Sequence, residues 1–388
     1  MAILGMHDAH DAGAAAVTKG RVIAAVNEER FTKLKNDVGF PHNSIKYLLE
    51  MTDPDDIEKI AVAWIGGSAL FARVIPSLER KRRKLWRKEL PKPSKASMHF
   101  RNVVFKLVQN QKPKALWRAL GNSIGGRLLS SRLRRVGLDR KLVFVEHHLA
   151  HAASAYYASG FKEALVITLD GAGDGLSGTV SIGDNGELKR INQFDASTSI
   201  GILYGAATIA CDMRYSEDEG KLMSLAAYSY PAEIEELNDI VRYDEKSRQL
   251  VSKNGKKFEY LLAEYMKDKL LWKYNREAFA YAVQKHVEEQ VLKIVKQYIN
   301  ETKIRNIAVA GGFFSNVITN MLINELPDVK DFFVFPHMGD GGLAMGAAYY
   351  VDYKEHGVFN PKQINNLYYG PSYDDSYIEQ ILKRKKNE

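Results

Sequence analysis

The chain contains a single cysteine, Cys211, and no long hydrophobic run, and each shortage excludes a class of protein. One cysteine cannot form an internal disulfide, which argues against a disulfide-stapled secreted domain and favours a reducing compartment. No apolar stretch approaches the ~18 residues that a membrane-spanning helix needs. The N-terminal MAILGMHDAHDAG places charges and turn residues where a signal peptide would be apolar. We therefore expect a cytoplasmic protein.

Acidic residues are scarce in one segment of an otherwise acidic chain. Between Arg80 and Lys141, 20 Lys and Arg side chains meet only Glu89 and Asp139, a local charge of +18. Because the whole chain carries +8, the other 326 residues carry −10. Such a segment indicates a nucleic-acid or anionic-membrane contact, an anionic acceptor, or a merely solvated basic face.

The strand pattern at the N-terminus recurs in the second half of the chain. Residues 2–26 are predicted as three short strands joined by the loop HDAHDAG and a turn at Lys19-Gly20. Residues 164–193 repeat this pattern around the loop DGAGDGLSG. Two copies of one unit roughly 160 residues apart indicate a duplicated α/β fold of the actin, sugar-kinase and Hsp70 type.

This plan divides the chain into two lobes with an insertion. We expect a first lobe over residues 1–158, a second over 159–370 and a tail over 371–388. Residues of about 75–137 interrupt the first lobe as a basic helical insertion, in which apolar residues such as Phe105, Leu107, Leu116 and Trp117 alternate with basic ones. Pro91-Lys92-Pro93 and Gly125-Gly126 are predicted to separate its helices.

Three histidines in five residues give the sharpest chemical signal. On the helix predicted for the Ala-rich run after Val145, His147 and His151 are four residues apart and share a face, whereas His148 points roughly 100° away and is expected to be freer to meet substrate. Asp170 and Asp340 each end a predicted strand. Two imidazoles and two carboxylates suit a divalent metal, Fe²⁺, Mn²⁺ or Zn²⁺. The alternatives are capping or surface histidines and an ordinary N-cap role for Asp340.

Glycine-rich turns and the first loop predict a nucleotide cleft. Turns containing Gly171 and Gly173, Gly311 and Gly312, and Gly341 each follow a strand, where backbone N–H groups can approach phosphate oxygens. The absence of GxxxxGK[ST] argues against a P-loop.

The first loop and the block after it supply the candidate catalytic residues. His10 and Asp11 are expected over the cleft, with His10 as a general base or a carbonyl-polarising donor. Arg30 and Lys35 follow the first hairpins in a basic block, for which a solvated, ion-paired helix is the alternative.

Eight blocks in order over nearly the whole chain resemble the N-terminal domain of the nodulation and antibiotic type O-carbamoyltransferases, which is related to the tRNA threonylcarbamoyladenosine-synthesis proteins. The blocks are HDAHDAGAA, NEERFTKLKNDVGFP, EHHLAHAASAYY, TLDGAGDG, SIGILYGAAT, EGKLMSLAAYS, AGGFFSNVITN and PHMGDGGLAMGAA. The resemblance implies an actin-like ATPase fold that holds carbamoyl-adenylate beside a divalent iron, Fe²⁺. An acceptor hydroxyl then attacks the carbamoyl carbon and AMP leaves.

The resemblance also assigns roles to residues. The four metal ligands that it implies are His147, His151, Asp170 and Asp340, and His10 and Lys35 match cleft positions. Its nucleotide contacts match Gly220, Lys221, Gly311, Gly312 and Asn316.

This chain departs from the family pattern in two ways. It has Ser224, Ala227 and Ser229 where the family's GKVMGLAPYG has Gly, Pro and Gly. The family also continues into a domain that makes carbamoyl-adenylate from ATP and carbamoyl phosphate, whereas this chain ends soon after YGPSY at 369–373. Either the chain is a fragment, or the activating domain is a separate protein, or the function has shifted, and the chain alone is not expected to complete the cycle.

Three functions follow as hypotheses. The first is carbamoyl transfer to a hydroxyl of a small molecule or glycan, with a phosphorylated or lipid-linked acceptor suggested by the basic insertion. The second is a tRNA-modifying threonylcarbamoyl transferase-like subunit that binds tRNA through the insertion. The third is a non-catalytic nucleotide-binding scaffold that docks a partner or an anionic membrane.

Overall fold

The computed structural model describes residues 1–65, 73–109, 114–253 and 258–386, and the side chains in these ranges except at 105–109, 114–121 and 386. The described strands form two five-stranded sheets and a two-stranded ribbon. The first sheet has the order β3-β2-β1-β4-β5 and contains β1 (Ala2–His7), β2 (Gly13–Thr18), β3 (Arg21–Asn27), β4 (Ile57–Ala63) and β5 (Lys141–Val145). The second has the order β12-β11-β6-β7-β8 and contains β6 (Glu163–Gly173), β7 (Leu176–Asp184), β8 (Glu187–Asp195), β11 (Asn306–Ala310) and β12 (Asp331–Val334). The ribbon pairs β9 (Arg242–Asp244) with β10 (Gln249–Val251).

The two sheets have the same topology. In the first, β1 pairs antiparallel with β2 and parallel with β4, with Ile3 opposite Val17 and Lys59. In the second, β6 pairs antiparallel with β7 and parallel with β11, with Leu165 opposite Ile182 and Ile307. The Lys19-Gly20 turn joins β2 to β3 as predicted. The duplication predicted from the sequence is confirmed.

Helices cover both faces of each sheet. In the described residues they are α1 (Glu29–Thr32), α2 (His42–Met51), α3 (Pro76–Trp86), α4 (Lys95–Gln109), α5 (Lys114–Arg134), α6 (His147–Ser159), α7 (Ile200–Ala210), α8 (Glu219–Ala226), α9 (Leu237–Ile240), α10 (Glu259–Met266), α11 (Arg276–Thr302), α12 (Val317–Asn324), α13 (Leu343–His356) and α14 (Asp375–Lys386). A π-helical turn follows α10 at Lys267–Leu271. No helix in these ranges combines the length and hydropathy of a membrane span.

The cores follow from the two-residue period of the strands. Leu165 and Ile167 face outward into a core shared with α7 and α11, whereas Val166 between them faces α6 and α13. Helices α6 and α13 lie between the two sheets, and a Cβ on Gly346 of α13 would come within 1.9 Å of the Ala150 carbonyl oxygen of α6. This close crossing fixes α6, and therefore its histidines, against both sheets.

The insertion consists of α3, α4 and α5 between β4 and β5. The break at Pro91-Lys92-Pro93 is confirmed, but the predicted break at Gly125-Gly126 is wrong because α5 continues through both glycines. A Cβ on Gly125 would lie 3.3 Å from Arg73 Nη1, so the missing side chains serve close packing. The side chains of Phe105, Leu107, Leu116 and Trp117 lie outside the described residues.

Much of the positive charge in α3 and the following turn is paired within the molecule. Arg83 Nη2 lies 3.5 Å from Asp11 Oδ2, and Arg87 Nε lies 2.7 Å from Glu217 Oε1. Lys92 pairs with Glu264 of α10. Since Glu217 and Glu264 lie between β8 and β11 of the second sheet in the chain, these ion pairs join the basic insertion to the second half of the molecule.

Candidate functional site

The candidate site lies where the loops after the central strands of both sheets meet. Strand β1 ends at His7 and the loop after it carries His10, and Asp170 lies near the end of the regular pairing of β6 with β7. Helix α6 begins two residues after β5 and carries His147, while Asp340 opens a short 3₁₀ turn ahead of α13. Parallel strands bring their carboxyl ends to one edge of a sheet, so these side chains converge from four separate segments.

Four of the converging side chains form a compact group of metal-type ligands. One ligand atom from each of His147, His151, Asp170 and Asp340 lies within 4.8 Å of the others. His147 Nε2 is 3.2 Å from Asp170 Oδ2 and 3.6 Å from Asp340 Oδ1, and His151 Nε2 is 3.4 Å from Asp340 Oδ1. The set predicted from spacing is thus brought together. The N-cap residues of this 3₁₀ turn and of α13 are Gly339 and Gly342, so Asp340 is not an N-cap.

The buried charges of this group are mutually dependent. Burial disfavours the charged form of His147, but the carboxylates of Asp340 and Asp170 outweigh it and raise the histidine pKa to about 10. Burial and the charge of Asp340 raise the pKa of Asp170, yet the hydrogen bond from His147 and the nearby histidines bring it down to about 2. Burial likewise raises the pKa of Asp340, and His10, His147 and His151 lower it well below its usual range. The proton on His147 offsets part of the negative charge of Asp170 and Asp340. A divalent cation would offset the same charge.

The ligand set fits a divalent metal on one further observation. Both ring nitrogens of the buried His151 lack a geometric hydrogen-bond partner among the described residues. The nearest charged group is Asp340 Oδ1, 3.4 Å from Nε2. A buried imidazole without hydrogen bonds is costly, and a metal ion would satisfy one nitrogen. Two imidazoles and two carboxylates suit first-row divalent ions.

A further carboxylate, Asp174, positions the helix that carries two of the metal-type ligands, and the sequence analysis missed it. Asp174 Oδ2 accepts hydrogen bonds from the backbone N–H groups of His147 at 2.9 Å and Ile65 at 3.0 Å. Burial and the charge of Glu146 raise the Asp174 pKa to about 7. Glu146 itself caps α6 by accepting from the backbone of His148 and Leu149. The signal in the sequence was the second aspartate of DGAGDG.

The expectation that His148 would be free to meet substrate is wrong. Its Nδ1 lies 3.0 Å from Thr168 Oγ1 and its Nε2 lies 3.1 Å from the Leu176 carbonyl oxygen. Burial and the charge of His147 lower its pKa to about 3, so the ring is neutral at pH 7. Helix α6 lies between two sheets, and the side opposite the metal group is therefore protein core.

His10 and Asp11 lie over the cleft as predicted. His10 Nδ1 is 3.0 Å from Asp11 Oδ2, and His10 Nε2 is 3.2 Å from Asp340 Oδ2. Burial raises the pKa of Asp11, but the hydrogen bond and charge of His10, followed by the charge of Arg83, lower it below its ordinary value. His10 therefore links the metal group to an oriented carboxylate.

Two cavities meet at His10 and Asp340. One, of about 380 Å³, lies between the glycine turns and is lined by Gly171, Gly220 and Gly312 among others. The other, of about 510 Å³, lies between the first loop and the insertion helices. Both described walls contain His10, Arg82, Ala172, Glu259 and Asp340, so these residues, among them His10 and Asp340, lie at the boundary between the two cavities.

The predicted nucleotide contacts divide into two groups. Gly171, Gly220, Gly312 and Asn316 line the smaller cavity, and the Asn316 side chain also caps α12. The remaining ones lie outside its described lining, namely Gly173, Lys221, Gly311 and Gly341.

Three of those remaining residues are glycines that permit close packing. A Cβ on Gly173 would fall within 2.2 Å of the His147 ring, and one on Gly341 within 2.0 Å of the His337 ring. Gly311 has a φ of 106° and lies against the Leu169 carbonyl oxygen. These glycines therefore shape the site. Lys221 is exposed and pairs with Asp218.

Arg30 and Lys35 lie outside the described linings of both cavities. The Arg30 side chain is 74% exposed and lies 3.6 Å from Glu29. Lys35 is exposed, and its carbonyl oxygen accepts a hydrogen bond from Arg87. Ser224 and Ala227, two of the departures from the family pattern, are exposed on and after α8, and the third, Ser229, also lies outside both described linings.

The chain has recognisable relatives along almost its whole length. A family model described as the carbamoyltransferase N-terminus matches residues 2–349. Nodulation protein NolNO of Sinorhizobium fredii is 28% identical over 384 residues, covering 96% of this chain and 51% of that protein. An uncharacterised protein of Methanocaldococcus jannaschii is 29% identical over 389 aligned positions, covering 99% of this chain and 63% of its own length. The chain thus spans about half to two thirds of the length of these curated relatives.

Solved structures identify the fold. The crystal structure of HypF from T. kodakarensis matches with a TM-score of 0.53 at 11% identity, over 93% of this chain and 48% of that one. Full-length HypF in its phosphate- and nucleotide-bound form gives a TM-score of 0.52 at 13% identity, over 92% and 56%. These matches confirm the predicted actin-like ATPase fold. With the family model covering nearly all of it, the chain belongs to the carbamoyltransferase family and carries that family's N-terminal region on an actin-like ATPase fold.

Proposed function

We propose that this chain transfers a carbamoyl group from carbamoyl-adenylate in the smaller cavity to an acceptor hydroxyl in the larger one. The observation that carries the proposal is the position of His10 and Asp340 in the walls of both cavities. A transferase must bring donor and acceptor to one point, and two cavities that meet at a histidine and a buried metal-type group meet that requirement. The family match supports the same chemistry.

A divalent metal, Fe²⁺ in preference to Mn²⁺ or Zn²⁺, would be held by His147, His151, Asp170 and Asp340. When bound, it would supply Lewis-acid stabilisation of negative charge on the carbamoyl oxygen. Asp174 and Glu146 hold α6 by its N-terminus, so the two histidines are oriented before any ligand arrives.

His10 is proposed as the base that takes the acceptor proton. A neutral imidazole has one N–H and satisfies one carboxylate, so an Nδ1–H donated to Asp11 leaves a lone pair on Nε2. Nε2 lies 3.2 Å from Asp340 Oδ2 at the junction, and its lone pair would be available to the acceptor when that carboxylate holds the metal. As the acceptor oxygen attacks the carbamoyl carbon, its proton passes to His10 Nε2. The bond between the carbamoyl carbon and the phosphate oxygen breaks, and AMP leaves with the electron pair. Asp11 stabilises the resulting imidazolium.

The nucleotide is proposed to lie against the turns that contain Gly171, Gly312 and Asn316. Gly312 N–H donates to Asp170 Oδ1 at 2.9 Å, so this turn also positions a metal-type carboxylate. A related fold that binds phosphate and nucleotide, the full-length HypF structure, supports a nucleotide in this cleft. The adenylate itself is proposed to come from a separate domain or protein.

The proposal is tested by product analysis with labelled donor. ATP and ¹⁴C-carbamoyl phosphate are supplied with an adenylate-forming domain as a separate protein, and the chain is added with a panel of hydroxylated acceptors. We expect AMP and a labelled carbamate ester in equal amounts. His10→Ala should lower the rate by about 10²-fold or more, the usual contribution of a general base.

A matched histidine provides the control. His42 is exposed at the start of α2 and lies outside both described cavity linings, so His42→Ala should keep the wild-type rate. If no labelled ester forms with any acceptor, or if His10→Ala is as active as His42→Ala, the proposal is wrong. Arg83, Arg87 and Lys92 of the basic insertion are paired internally, so these three side chains do not support the tRNA and membrane alternatives.

A further inference from the structure

The two ends of the larger cavity differ in polarity. Its inner end is formed by His7, His10 and Asp340, beside the proposed reaction point. Its outer end is formed by α3 and α4 of the insertion, with Leu78 and Phe100 at the surface. A volume of about 510 Å³ falls within the range of pockets for small organic ligands.

The outer end is apolar and open to solvent. Ile75, Leu78, Met98, Phe100 and Val104 line it, and all except the buried Met98 are exposed. Single exposed apolar side chains are ordinary, but a contiguous group around a cavity mouth marks a binding surface. The side chains come from the insertion, so this end is a property of this chain's own segment between β4 and β5.

The described lining has no surplus of arginine or lysine over carboxylates. Glu79 and Glu259 are matched by Arg82 and Arg101, and Asp340 at the inner end adds a third carboxylate. Arg82 Nη2 lies 3.3 Å from Glu79 Oε1, and its guanidinium lies over the Trp86 ring at 4.3 Å. An acceptor phosphate would find no surplus of positive charge here. Within the described side chains, the basic insertion therefore does not make its cavity an anion site.

The inner end offers a buried hydrogen-bonding group. His7 is 1% exposed, neither ring nitrogen has a hydrogen-bond partner among the described residues, and Nε2 lies 3.9 Å from Asp340 Oδ2. An imidazole ring can present one N–H and one lone pair. A hydroxyl is both donor and acceptor, which matches such a group. A polar end and an apolar end in one cavity match the two ends of an amphiphile.

We propose, resting on the proposed transferase function, that the acceptor is an uncharged amphiphile. Its hydroxylated head lies against His7 and His10, and its alkyl chain or apolar ring system lies between α3 and α4. The acceptor class is therefore set by the insertion, and the phosphorylated acceptor suggested by net charge is disfavoured.

The test measures binding of simple alkyl glucosides without any donor. Methyl, hexyl, heptyl and octyl β-D-glucopyranoside are titrated into the chain by calorimetry below their micelle concentrations. Burial of each added methylene should tighten binding about fourfold, up to the length of the cavity. Octyl phosphate should bind more weakly than octyl glucoside.

Two variants locate the binding. Leu78→Asp places a charge at the mouth and should weaken octyl glucoside binding at least tenfold. Val317→Asp is the control, since Val317 is 59% exposed, close to the 56% of Leu78, and lies on α12 outside this cavity's described lining. His7→Phe keeps a ring but removes the hydrogen-bonding nitrogens, and should weaken octyl glucoside about fivefold or more.

Each result bears on one part of the inference. Equal affinity for methyl and octyl glucoside, equal weakening by the Leu78 and Val317 variants, or tighter binding of octyl phosphate would overturn it. The assay contains no nucleotide or carbamoyl group. If alkyl glucosides bind as expected but no carbamate forms, the transferase proposal fails and the amphiphile site stands. If carbamate forms on short polar acceptors only, the amphiphile inference fails alone.

Discussion

Removing Arg73, which precedes the insertion, should cost far more stability than removing an exposed arginine of the insertion. Arg73 and Asp8 are both buried, and Arg73 Nε and Nη2 donate to the two carboxylate oxygens of Asp8 at 2.7 and 2.9 Å. Arg73 Nη2 also donates to the Trp64 carbonyl oxygen at 3.1 Å. Arg73→Met leaves a buried carboxylate without its partner, which typically costs about 3–5 kcal/mol.

A double-mutant cycle in urea isolates this interaction. Asp8→Leu combined with Arg73→Met removes both charges and should return the free energy of unfolding to within about 1 kcal/mol of wild type, because an apolar pair of similar volume often replaces a buried ion pair without loss. Arg134 is the control, since it lies 3.8 Å from Asp139 with both side chains exposed. Arg134→Met should cost less than about 1 kcal/mol. If Arg73→Met costs no more than Arg134→Met, the buried pair does not anchor the insertion on the first loop.

Three further predictions follow from the site and its surroundings. Burial and then a neighbouring carboxylate raise the Asp174 pKa from 3.8 to about 7, so the free energy of unfolding falls as pH rises from about 4 to 7. Asp174→Asn should therefore have a larger free energy of unfolding in urea than wild type at pH 8, and should lose that advantage by pH 4. Because the His147 pKa is about 10, the protonated ring contributes its full stabilisation of the fold below pH 6.5 and loses it as pH rises towards 10. A ligand imidazole must be neutral, so the affinity for Mn²⁺ measured by calorimetry should rise up to tenfold per pH unit across that window. Gly346→Ala should yield a chain with a lower melting temperature or none in soluble form, whereas Gly220→Ala, whose Cβ meets nothing within 4 Å, should raise it slightly.

Local patterns of the sequence predicted the parts of the molecule that depend on neighbours along the chain. The spacing of His147 and His151 placed two imidazoles on one helix face, and the recurring strand pattern predicted the duplicated sheets. The prediction for His148 was wrong because helical spacing gives the direction of a side chain but does not show whether protein or solvent lies in that direction. The helix is Ala-rich on all sides, which in retrospect indicates burial between two layers.

Interactions between distant segments could not be predicted in the same way. The pairing of Asp8 with Arg73 joins residues 65 positions apart, and the hydrogen bonds to Asp174 join the ends of β4 and α6 to the loop after β6. Nothing in the local spacing specifies either partner. The net charge of the insertion was equally ambiguous, because its sum does not tell internal ion pairs from a binding surface.

The most direct test of the central claim is a crystal structure of the chain with Mn²⁺ and a non-hydrolysable carbamoyl-adenylate analogue. The account predicts one anomalous peak about 2.0–2.3 Å from the ligand atoms of His147, His151, Asp170 and Asp340. It also predicts the nucleotide against the glycine turns, with its carbamoyl carbon at the junction beside His10. A manganese ion held by other residues, or an analogue whose carbamoyl group points away from His10, would contradict it.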